Sequence, residues 1–93
     1  MKTANNPNFA VHELKTWSEY FQAIIRGDKK FEIRKNDRNF KPYDWLKLRE
    51  WDNNSEQYTD REITVQINYI FKGGSFGVEE GFCVMSISNP AMI

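Results

Sequence analysis

The sequence predicts a mainly β (α+β) domain, a small barrel of about five strands with one capping helix near the N-terminus. Three observations lead there. Several short stretches alternate apolar and polar residues, a single stretch places apolar residues at helical spacing, and only 93 residues are at hand, enough for one core. In so short and strand-rich a chain, closing the sheet on itself removes exposed edges that invite aggregation.

Residues 1–8 are polar with one proline and read as a flexible leader, so that 9–93 form a single domain. Val11–Lys15 predicts a short strand with His12 and Leu14 on one face and Val11, Glu13 and Lys15 on the other. Thr16-Trp-Ser-Glu19 has the spacing of a capping box, in which hydroxyl and carboxylate each satisfy a backbone donor of a helix's first turn. Behind it Trp17, Tyr20, Phe21 and Ile24 form one apolar stripe of a helix over 17–26, which Gly27 stops in the left-handed conformation.

A second strand, 30–35, alternates Phe31 and Ile33 with Glu32 and Arg34, and the apolar pair is expected inward with the charges outward. Residues 36–44 are rich in turn formers, and Pro42 biases Lys41 away from helix. Residues 45–51 predict a strand with Leu46, Leu48 and Glu50 on one face and Trp45, Lys47, Arg49 and Trp51 on the other. A hairpin loop over 52–56 leads to the clearest strand. In it Ile63, Val65, Ile67 and Tyr69 share a face opposite Glu62, Thr64, Gln66 and Asn68, which implies one wet side. Gly73–Gly77 breaks it, and 82–88 supply the last strand.

Thirteen Lys/Arg balance thirteen Asp/Glu, which argues against binding long duplexes through overall charge, because that affinity scales with the phosphates neutralised. One cysteine and one histidine make neither a disulfide nor a tetrahedral Cys/His metal site. Cys83, among Phe82, Val84 and Met85, reads as a buried, inert thiol. No apolar run approaches the roughly 20 residues that span a bilayer. A cytoplasmic protein with no membrane, metal or cofactor is the expectation.

Charge is segregated locally. Residues 26–41 hold seven Lys/Arg against three acids, an excess of +4. Within them Lys29, Glu32 and Arg34 stand close enough for a carboxylate flanked by cations, able to anchor a base or phosphate or to work as an acid/base. The same residues also suit an exposed charge ladder without function. Lys35 and Arg38 extend the cluster. His12 reads either as a core histidine with a satisfied hydrogen bond or, with Lys15, as part of the barrel mouth. Trp45, Lys47, Arg49 and Trp51 suit a stacking platform for single-stranded nucleic acid or a face that receives the helix while the cations reach outward. Asp44 reads as a turn residue bonding its own backbone.

His12-Glu-Leu-Lys15, the helix with Tyr20-Phe21, Gly27-Asp-Lys-Lys-Phe-Glu-Ile-Arg34, Asn36-Asp-Arg38 and Asp44-Trp-Leu-Lys-Leu48 together resemble a small bacterial and phage group of ASCH-type domains in the PUA-like superfamily. The resemblance covers about residues 11–88. It implies a PUA-like pseudo-barrel with a cleft beside strand 30–35 that binds RNA or a modified nucleotide. His12, Lys15, Lys29, Glu32, Arg34, Lys35, Arg38 and Trp45 are the residues expected to bind. Some small ASCH proteins are amidohydrolases that deacetylate acetylated cytidine with a lysine, a threonine and a glutamate. Their lysine matches Lys29, but their threonine falls at Glu32, which removes the hydroxyl nucleophile. The alternative that survives is amide hydrolysis of an acylated nucleoside, with Glu32 activating water and Lys29 stabilising an oxyanion. A third alternative is a non-catalytic protein-interaction domain that uses exposed tryptophans.

Overall fold

The computed structural model describes residues 9–88, so the expected leader lies outside the described residues. Five strands and one helix follow the order β1 (Val11–Trp17), α1 (Ser18–Arg26), β2 (Phe31–Lys35), β3 (Trp45–Asp52), β4 (Gln57–Lys72) and β5 (Phe82–Ser88). The mainly β fold with one helix after the first strand is thus the one that the alternating stretches indicate. The strands form one sheet in the order β1-β3-β4-β5-β2, with β1 parallel to β3 and the other neighbours antiparallel. The sheet curls into a half-barrel, and its inner face carries Leu14, Leu46, Leu48, Val65, Ile67, Met85 and Ile87, all buried. Phe21 and Ile24 of α1 close that core.

The barrel is not closed by a backbone ladder. β1 and β2 end the sheet, and the seam between them is bridged by side chains. Arg34 Nη2 donates to the Lys15 carbonyl at 2.9 Å, and Arg38 Nη1 donates to the Glu13 carbonyl at 2.8 Å. These guanidinium groups occupy edge carbonyls that would otherwise template another chain.

Three local expectations are corrected. β1 runs through Trp17, and Thr16 is buried inside it in phase with Leu14. The capping box therefore does not form: α1 starts at Ser18 with no side-chain cap. Strand alternation wins because Thr16 has a partner on the inner face, Arg34 at 3.2 Å. In β2 the phase is opposite to that expected. Glu32 is 3 % exposed, whereas Phe31 and Ile33 are 42 % and 56 % exposed. Charges turn inward here because they satisfy one another beside the open seam. In β4 the register shifts between Ile67 and Tyr69, so Tyr69 points outward and Ile70 packs on the core. One extra residue in a strand moves everything beyond it to the other face.

The expected stop at Gly27 is present, with φ +86° and its amide donating to Ile24 O at 3.0 Å. Among the described residues no helix is long and apolar enough to cross a membrane.

Candidate functional site

The seam opens into a recess of about 480 Å³ lined by Lys15, Thr16 and Trp17 of β1, Tyr20 of α1, and Lys29, Phe31, Glu32, Ile33 and Arg34 around β2. Gly27 ends the helix and lets the chain turn, with the amides of Asp28 and Lys29 both donating to Ala23 O. Lys29 thereby arrives at the head of β2. Its Nζ donates to Glu32 Oε1 at 2.5 Å and to Phe31 O at 2.7 Å. From the other side Arg34 Nε donates to Glu32 Oε2 at 2.8 Å. A carboxylate so deeply buried is tolerable only when paired, and here each oxygen receives a charge-assisted bond. The trio carries a net +1.

Arg34 Nη1 has no hydrogen-bond partner among the described residues, and Lys29 keeps a third N–H. The floor therefore offers donors. The wall is aromatic: Trp17 and Tyr20 stack with centroids 6.4 Å apart and planes at 16°. Lys29 Nζ lies 4.9 Å from the centre of the Phe31 ring.

A second buried carboxylate holds that wall in place. Glu50 on β3 is 2 % exposed and accepts four bonds: from Arg61 Nε at 2.7 Å, Arg61 Nη2 at 3.0 Å, Ser18 Oγ at 2.5 Å and Thr59 Oγ1 at 2.6 Å. The Arg61 hydrogen bonds chiefly, with those from Ser18 and Thr59, outweigh burial and bring the Glu50 carboxyl down to about 2. Ser18 is the residue between Trp17 and the body of α1, so this network ties the helix start to β3 and β4.

Residues 11–87 match the family described as "Domain of unknown function (DUF3850)". The chain belongs to that family. Over 41 residues it is also 44 % identical to the "Uncharacterized 12.9 kDa protein in GpA 3'region" of Escherichia phage P2, a match covering 44 % of this chain and 38 % of that protein. The chain thus spans well under two thirds of that relative.

This DUF3850 domain gathers only some of the residues singled out in the sequence. Lys15, Lys29, Glu32 and Arg34 meet at the recess. Lys15 also places Nζ 3.9 Å from the centre of the Trp51 ring. His12 does not join them. It shares a face of β1 with Leu14 and Thr16, opposite Lys15, and sits four residues from Thr16, about 13 Å along a strand. There Nε2 donates to Asp44 Oδ2 at 2.9 Å, and its ring meets Phe40 edge-on at 4.8 Å. Asp44 also accepts from the Ala10 and Lys41 amides. Burial pushes its carboxyl up, but the His12, Ala10 and Lys41 bonds together hold it below the usual value. The turn reading of Asp44 thus accounts for Lys41 and misses the tie to β1.

Lys35 is exposed outside the recess, and Arg38 is spent on the seam. Trp45 lies on the outer face of β3, away from the recess, because Leu46 and Leu48 fill the inner one. Nor is that outer face free cationic surface: Lys47 pairs with Glu13 and Glu62 at 3.7 and 3.5 Å, and Arg49 stacks on Tyr58 at 3.9 Å. Thr16, Trp17 and Tyr20, with the Phe31 and Ile33 expected in the core, are the site residues that sequence reading assigned elsewhere. Polarity gave no signal for the first two, since polar Thr16 falls in phase with Leu14 and apolar Trp17 in phase with Lys15.

Cys83 is fully buried, and burial pushes its thiol up.

Proposed function

We propose that this domain is a PUA-like recognition module of the ASCH type that takes one nucleobase, from single-stranded RNA or from a modified nucleotide, into the recess at the β1–β2 seam. The observation that carries this reading is the Lys29–Glu32–Arg34 floor beneath the stacked Trp17 and Tyr20. Stacking a base on an aromatic ring contributes about 1 to 3 kcal/mol. Arg34 Nη1, which has no partner among the described residues, and the third N–H of Lys29 suit ring nitrogens and carbonyl oxygens at a base edge. The recess lies within the size range of small-ligand sites, and with Lys15 added to the trio its excess of two positive charges favours an anionic nucleotide over a neutral nucleoside.

Fluorescence anisotropy with short labelled single-stranded RNA and competing mononucleotides, over a salt series, tests this reading. Binding is expected to weaken about tenfold or more in Trp17→Ala and Arg34→Ala and to stay unchanged in Trp45→Ala. Absence of binding at low salt, or unchanged binding in Trp17→Ala, overturns it.

Amide hydrolysis by Lys29 and Glu32 has less in its favour, because both Glu32 oxygens already accept bonds from cations. Release of free acid from acylated nucleosides, lost in Glu32→Gln, would reinstate it.

A further inference from the structure

The inverted phase of β2 leaves an apolar surface on the outside of the molecule. Register carries it across three strands: Ile33 lies beside Val84 and Val84 beside Phe71, while Phe31 lies beside Ser86 and Ser86 beside Tyr69. Past β4 the chain turns through Gly73–Gly77, and Phe76 at its tip is 92 % exposed. Its φ of +53° is a conformation that a bulky residue rarely adopts. Its ring touches this surface only at the edge, 6.0 Å between centroids from Phe71. Beside it on the same face is a hollow of about 180 Å³ lined by Ile33, Val78, Phe82 and Val84, with Glu79 at the rim. One face thus carries both a projecting aromatic ring and an apolar hollow of a size to take one.

We infer that this face is the interface of a two-fold dimer of the chain, with Phe76 of each copy seated in the Ile33–Phe82–Val84 hollow of the other. A two-fold axis brings one patch onto itself, so a knob and a hole side by side on that patch are filled reciprocally in one closed contact. The area agrees. Phe31, Ile33, Tyr69 and Phe76 are 42, 56, 67 and 92 % exposed. At roughly 200 Å² for a large side chain they leave on the order of 500 Å² of apolar surface. The half-buried Phe71, Phe82 and Val84 and the polar rim extend this toward the ~800 Å² per partner of a stable interface. A formal net charge of zero sets no overall repulsion between copies. Two sheets meeting on their outer faces also make an ordinary sandwich packing. Phe31 and Ile33 also line the recess, but Phe76 and Val78 do not, so their variants test this inference apart from the nucleobase reading.

Sedimentation velocity over a concentration series from low micromolar to near millimolar tests it. The unaltered chain is expected to pass from monomer to dimer. Phe76→Ser and Ile33→Asp are each expected to dissociate at least tenfold more readily, with circular dichroism reporting the fold and Val78→Asp replacing Ile33→Asp should that variant unfold. The diagnostic step is mixing. A Phe76→Ser copy keeps its hollow and a hollow variant keeps its ring, so the mixed pair regains one of two reciprocal contacts and associates more tightly than either variant alone. A chain monomeric throughout overturns the proposal and leaves the face to a different protein. Variants that dimerise like the parent, or that gain nothing on mixing, overturn it equally.

Discussion

Glu50 shows how a single side chain can order its neighbourhood. Its carboxylate gathers a helix start, a strand and the far end of a hairpin, and its ordinary value of 4.5 falls to about 2. A carboxyl lowered on folding adds stability that is complete above its unfolded value and disappears as pH falls through the folded one. The contribution is therefore lost between about pH 4.5 and 2. A shift of that size corresponds to at most about 3 kcal/mol, and water around the half-exposed Arg61 reduces it to about 2. Urea denaturation at a series of pH values is expected to show the parent losing stability across that window. Glu50→Gln should start about 2 kcal/mol lower at pH 7 and fall less steeply; parallel curves would refute the assignment. Glu32 is as deeply buried, but its partners Lys29 and Arg34 line the recess, whereas Ser18, Thr59 and Arg61 around Glu50 line none of it. That difference in surroundings is why one carboxylate reads as scaffold and the other as site.

Among the elements, strand positions were legible and strand phases only partly so. Periodicity two marks where a chain is extended, and β3 has the facing that its alternation implies. In β2 the choice of inner face rests on polarity, and polarity misleads where charges neutralise one another. The β4 bulge left no mark either, since Asn68 looks like any outward residue of the strand. The recess was half legible for the same kind of reason. Lys29, Glu32 and Arg34 are neighbours in sequence, whereas Thr16, Trp17 and Tyr20 reach them only through the folding of β1 against the seam. The β4–β5 connection holds a constraint that its glycine content announced only generally. At Gly73 a Cβ would collide with the Glu79 carbonyl, a backbone atom that cannot swing aside, while its amide donates to Phe82 O at 2.8 Å. Gly73→Ala is expected to cost about 2 kcal/mol or more in urea denaturation. A loss under half of that would mean that the turn is looser than it looks.

Across the whole molecule, the sheet is continuous everywhere but at one seam, and amide exchange should trace this. β4 lies at the centre with a strand on each side, so Val65 and Ile67 are expected to exchange among the slowest. In β2 the bonds Ile87 N to Lys30 O and Asn36 N to Gly81 O fix which residues face β5. By antiparallel alternation Glu32 and Arg34 are paired, and Phe31, Ile33 and Lys35 point their amides into the seam. Hydrogen exchange followed by NMR should find protection alternating along this strand; uniform protection would mean that β1 and β2 are joined by backbone after all.

The fastening of that seam is chemically one-sided. Its donors are the side chains of Arg34 and Arg38, but apart from the Thr16 hydroxyl its acceptors are main-chain oxygens of residues 15 and 13, which every amino acid carries. Replacing Lys15 or Glu13 leaves the clasp intact, whereas losing either arginine opens it. Tolerance to substitution should therefore be lopsided, wide on the first strand and narrow on the second, although the two contribute equally to the join.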